Sequence, residues 1–134
     1  MTLPSPMDTT RDLLARAAQH SRDRQDEQAL ALNRQALRLT MSEFQNSGNG
    51  EHLYLGLTAY RGIAVSALLT GRSQEAAAAL ETGRAHAALA LKHWPDAPPF
   101  IEEQAQLAAL KQKTGLDGAV HIPVENLGSW PFDD

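Results

Sequence analysis

Tyr60-Arg-Gly-Ile-Ala-Val-Ser-Ala-Leu-Leu-Thr-Gly-Arg-Ser-Gln-Glu-Ala-Ala-Ala-Ala-Leu-Glu-Thr-Gly, residues 60 to 83, carries two helical patterns on either side of one breaker. Before the breaker, Tyr60, Ile63, Ala64, Ala67 and Leu68 recur at spacings of three and four, the period of one helix face. Gly71 suits the residue just beyond a helix end, where the backbone turns left-handed, and Ser73 suits the cap of the helix that follows. In that second helix Ala76 and Gly83 stand seven positions apart, nearly two turns, so both fall on the same face. Small side chains there let a preceding helix approach closely. The segment is therefore read as a tight antiparallel helix hairpin.

An earlier copy of the pattern lies upstream. Leu13, Leu14, Ala17 and Ala18 recur at helical spacing, the polar run Ser21-Arg-Asp-Arg-Gln-Asp reads as a turn, and Ala29 and Ala36 repeat the seven-residue pair of small residues. The second helix continues through Leu37, Met41 and Phe44 and stops at Asn46-Ser-Gly-Asn-Gly, a breaker cluster. A third helix from about Glu51 to Thr70 is apolar on most sides and belongs in the middle of the bundle. The fourth runs from Ser73 to about Lys92. After Pro95, Pro98 and Pro99, with Asp96 as candidate cap, a fifth helix carries Glu102 and Glu103 in its first turn and ends near Gly115. Residues 1–9, with Pro4 and Pro6 and no periodicity, are expected to form a flexible arm, with Asp8 or Thr9 as the cap of helix one. Residues 10–115 form the helical domain, and residues 116–134 an extended, non-helical tail.

Composition agrees with this all-α reading. Hydrophobic residues make up 43% of the 134 residues, supplied mostly by Ala and Leu, and only 5% are aromatic, which favours closely packed helices over sheet. Cysteine is absent, which removes disulfides, thiol nucleophiles and thiolate metal sites. The start lacks a basic region followed by an apolar run, and no window approaches the roughly 18 apolar residues of a membrane span, so a cytoplasmic location without membrane contact is expected. Net charge is −4, and the acidity is concentrated C-terminally, with two basic against seven acidic residues from 93 to 134. Arg11, Arg16, Arg22, Arg24, Arg34 and Arg38 are interleaved with acids rather than gathered in a stripe, which argues against nucleic acid as a partner.

The stretch from Tyr60 to Gly83 resembles one tetratricopeptide repeat. Tyr60 and Ile63 match the bulky positions of its first helix, Ala64 the small contact position, Gly71 the turn, and Ala76, Leu80 and Gly83 its second helix. Leu13 through Ala36 is similar to a weaker copy. Ala76 follows Ala29 by 47 residues where the standard repeat has roughly 34, as in variants with lengthened helices, and Ala67 and Ser73 replace the family's turn-flanking tyrosines. The resemblance implies a right-handed stack of about five antiparallel helices whose first helices line a groove for an extended peptide or a partner helix. The groove-facing positions it implies are Arg11, Leu14 and Ala18 on helix one, and Thr58, Arg61, Val65 and Leu68 on helix three. The two arginines would offer paired donors to a carboxylate of an acidic peptide.

Motifs for chemistry are missing: there is no phosphate loop, His-Glu-x-x-His, nucleophile elbow or calcium loop. His86 and His93, seven apart, lack a third ligand, and Glu102 with Glu103 fits dipole and solvation preferences near a helix start. The protein is therefore expected to be no enzyme, to hold no metal or cofactor, and to bind a protein or peptide. A second reading is a homodimeric regulatory or assembly subunit using helix five and the tail; a third, less favoured, is a small-ligand sensor or enzyme with a pocket between helices three and five. The tail carries Ile122, Val124, Leu127, Trp130 and Phe132 and ends in two aspartates. Burying such side chains contributes roughly 1.5 to 3 kcal/mol each, so the strip is expected to dock on the helical body or on a second copy, its acids near Arg11 or Arg61.

Overall fold

The computed structural model describes residues 5–116. They form five helices: α1 (Pro6–Arg22), α2 (Asp26–Ser47), α3 (Gly50–Leu69), α4 (Ser73–His93) and α5 (Pro98–Thr114). No strand occurs among the described residues. Each helix packs on the next, and α3 also touches α1 and α5. The odd-numbered helices thus lie side by side in one layer, with α2 and α4 behind them.

Long-range pairs give the directions. Thr40 of α2 donates to the carbonyl of His52 at 2.7 Å, while Asn33 earlier in α2 abuts Gly62 later in α3, so the two helices run antiparallel. Ion pairs join the beginnings of like-numbered helices, Arg11 to Glu51 across α1 and α3, and Arg72 just before α4 to Glu27 at the start of α2.

The two hairpins repeat in backbone detail. At the end of α3 the Gly71 N–H donates to Leu68 O (3.2 Å) and the Arg72 N–H to Ala67 O (2.8 Å), a Schellman closure with Gly71 at φ +80°. At the end of α1 the Arg24 N–H donates to Ser21 O (3.1 Å) and the Gln25 N–H to His20 O (2.8 Å), with Arg24 at φ +59°. Arg24 and Gly71 are 47 residues apart, the same offset as Ala29 and Ala76. The two hairpin turns therefore share one backbone closure at this offset, made once by the residue suited to it and once by an arginine under backbone strain.

The core runs between the layers. Leu30, Phe44, Leu53, Leu57, Leu80 and Leu107 are almost wholly buried, and Ala29, Ala36 and Ala76 have no exposed surface. At Gly83 an added methyl would lie 3.1 Å from Tyr60 Cβ and 3.4 Å from Leu107, so the small position admits both α3 and α5 to contact with α4.

Several helix starts differ from expectation. α1 begins at Pro6, inside the stretch expected to be a loose arm, because Ser5 caps it by accepting from the Asp8 N–H at 3.1 Å and Pro6 suits the first turn. α5 begins at Pro98 behind Ala97 rather than Asp96, again with proline in the first turn, which moves Glu102 and Glu103 out of that turn. Ser73 is the first residue of α4, not its cap. Asn49 caps α3 by accepting from the Glu51 N–H at 2.9 Å. The expected tail, with Ile122, Val124, Leu127, Trp130 and Phe132, lies outside the described residues.

Candidate functional site

The α1–α3 layer leaves a groove of about 350 Å³ whose floor is supplied by α2. Its apolar walls are Leu14, Ala17 and Ala18 from α1 and Val65 from α3; its polar groups are Ser21, Asn33, Thr58, Arg61 and Ser66. The period of α3 sets Thr58, Arg61, Gly62, Val65 and Ser66 along one face, and the small residues of α1 leave the space open. Beyond Arg61 and Val65, a second hollow of about 320 Å³ between α3 and α5 continues past Gln106, Leu110 and Lys113.

Five of the seven residues expected to face a groove meet in the first hollow: Leu14, Ala18, Thr58, Arg61 and Val65. Arg11 does not. It sits near the start of α1, bonded to Glu51 and 3.8 Å from Asp8. Leu68 packs against the core instead.

Arg61 reaches into α5. Its Nε and Nη2 donate to the two carboxylate oxygens of Glu103 at 3.0 and 2.9 Å, and Glu103 is only 2% exposed. Those hydrogen bonds hold the Arg61 pKa above its ordinary value against the opposing effect of burial. Thr58 Oγ1 adds a weaker contact to Glu103 at 3.4 Å. Glu103 is thus a fixed internal partner, not an acid placed for the helix dipole. The two expected donors to an acidic peptide each already face a carboxylate of the protein, Arg11 that of Glu51 and Arg61 that of Glu103.

The residues missed from the sequence are on the floor. Asn33 is 6% exposed and Ser66 2%, and both line the groove. Asn33 lies flat against α3: a Cβ on Gly62 would come within 2.5 Å of its Oδ1. The signal was available, since Asn33 interrupts the inward stripe between Ala29-Leu30 and Ala36-Leu37. Glu103 likewise shares the inward face of α5 with Phe100 and Leu107.

His86 is buried with no partner at either ring nitrogen, and the Nδ1 of His52 and one carboxylate oxygen of Asp26 are buried without a partner as well. His86 is 1% exposed and meets Tyr60 edge-on at 5.2 Å between ring centres. Burial lowers its pKa to about 4 and pushes the Tyr60 phenol up to about 12, so both are neutral near pH 7. His93 instead packs edge-on against Trp94. Among the described residues no three His, Cys, Asp or Glu side chains gather as metal ligands, and no helix is long and apolar enough to cross a membrane.

No family model, curated protein sequence or solved structure matches the chain.

Proposed function

We propose that this protein is a non-catalytic interaction scaffold, similar in plan to tetratricopeptide repeats, that holds a peptide segment of a protein partner in the groove between α1 and α3. The supporting observation is the groove itself: an open, mixed apolar and polar channel between the first helices of two hairpins, lined by five of the seven residues that the repeat resemblance implies. Its walls are small and aliphatic, and its one guanidinium is matched internally by Glu103. Nothing in it combines a nucleophile with a base, which favours binding over catalysis.

Selection from a random peptide display library against the immobilised full chain tests this. Peptides recovered on the native protein should lose binding to Ala18→Arg, which projects a long cation from an exposed groove wall. They should keep binding to Ala88→Arg, at an exposed position on α4. Failure to recover any peptide, or equal binding to both variants, would refute a groove-bound partner. Deleting the chain after Gly115 in the same assay tests self-occupancy: tighter peptide binding is the outcome expected if the tail competes for the groove.

A further inference from the structure

We infer that the hollow between α2 and α4 is a second binding site, which takes a small amphipathic carboxylate: an acid whose apolar body fills the hollow and whose anion pairs with Arg38. The site is separate from the α1–α3 groove and does not depend on what that groove holds.

Two ion pairs fix how α2 and α4 stand to each other. Glu27 at the start of α2 pairs with Arg72 just before α4 at 2.9 Å, and Arg34, further along α2, pairs with Glu75, further along α4. The two helices therefore run in the same direction, bridged by long side chains.

The next rung of this ladder is incomplete. Arg38 follows Arg34 by four residues, one helical turn, and so lies on the same face of α2. One turn beyond Glu75, α4 carries Ala78 and Ala79. Where the first rung has a carboxylate, the second has two methyl groups. The shortfall leaves a hollow of about 280 Å³ beside Arg38, and no described carboxylate forms an ion pair with that guanidinium.

The walls define both halves of the occupant. Leu37, the Tyr60 ring, Ile63, Ala78 and Ala79 make the lining mainly apolar. Ile63 and Ala79 are buried, and Tyr60 is backed edge-on by His86 at 5.2 Å, so this surface is already formed. Ligand pockets commonly span roughly 300–1,000 Å³, and a hollow at the small end of that range suits a short alkyl chain or a single ring.

Charge decides the head group. Arg34, Arg38 and Glu75 are the charged residues on the hollow, two cations against one anion. Glu75 accepts from Nε of Arg34 at 2.7 Å and from its Nη2 as well, which leaves Arg38 to set the sign. The protein itself meets the first arginine with a carboxylate from across the gap. A ligand carboxylate does the same for the second, since a guanidinium offers paired donors of matching geometry. A cationic ligand would be repelled, and a neutral one would gain nothing from Arg38.

The experiment titrates the full chain with octanoate and with phenylbutyrate, followed by amide chemical shifts, with octanol and octylamine as the neutral and cationic controls. Each acid should saturate, with the largest shifts around Leu37, Ile63 and Ala79. Octanol should bind about fivefold more weakly than octanoate, the worth of one exposed ion pair, and octylamine more weakly still. Arg38→Gln, at an exposed position, should bring octanoate down to the affinity of octanol. Ala78→Phe, which fills the hollow from a half-buried position, should abolish binding of both. Glu75→Gln releases Arg34 as a second donor and should tighten octanoate without tightening octanol. No saturable binding of either acid in the millimolar range, equal affinity for octanoate and octanol, or unchanged octanoate binding by Arg38→Gln would overturn the site. Shifts confined to the α1–α3 groove would overturn it too.

Discussion

Acidification should unfold this protein through His86. The imidazole is 1% exposed, stacked edge-on against Tyr60, and neither nitrogen has a hydrogen-bond partner, so the folded state strongly resists its protonation. Burial brings its pKa down to about 4 from the 6.5 of a free histidine. Above pH 6.5 the ring is neutral in both states and costs nothing. As the pH falls from 6.5 toward 4 the unfolded chain takes up a proton that the folded chain refuses, and stability drops. At 1.36 kcal/mol for each unit of separation, the full loss is about 3 kcal/mol, a large part of the stability of a domain this size. Urea titrations at intervals from pH 7.5 to pH 4 measure it; with a slope near 1.5 kcal/mol per molar, the midpoint should move down by about 2 M. His86→Leu fills the same site without a titratable group, so the difference between native and variant curves isolates the histidine from the carboxylates. Glu75 and Glu81 lose their ion pairs only at lower pH, since Arg34 and Lys111 hold their pKa values below the ordinary carboxylate range. Parallel native and variant curves between pH 6.5 and 4.5 would show that the ring is not isolated as described.

Two further perturbations probe the frame of the site. Arg24 occupies the left-handed position that Gly71 fills in the second hairpin, so Arg24→Gly should raise stability by about 0.5–1 kcal/mol, seen as a melting temperature a few degrees higher; an unchanged or lower midpoint would contradict the strain. Arg61→Leu strands the buried Glu103 carboxylate and should cost about 3 kcal/mol in denaturant melts, and adding Glu103→Leu should restore much of it. A single variant that melts like the native protein, or a double variant no better than the single, would show that the pair is not buried as a unit.

What the chain alone determined is the set of helices and the way consecutive ones meet. Period, breaker and small-residue signals are local: Gly71 announces its turn by lacking a Cβ, and Ala29, Ala36, Ala76 and Gly83 announce close helix contacts by their size and their seven-residue spacing. Cap positions were read less well, because prolines at 6 and 98 start helices as readily as they interrupt them, and the cap side chain is chosen by geometry as much as by type. The groove was legible in part, since five of its residues follow from the phase of α1 and α3. The remainder depends on the rotation and register of helices distant in sequence, which no local spacing encodes. Only the packed structure decided that Arg61 would find Glu103, 42 residues on. It likewise drew Arg11 to Glu51 and set Asn33 against Gly62 at the floor of an open groove. A polar residue in an apolar stripe is visible in the chain; only tertiary packing, through the rotation and register of distant helices, shows that Asn33 and Ser66 line an open groove rather than a closed core.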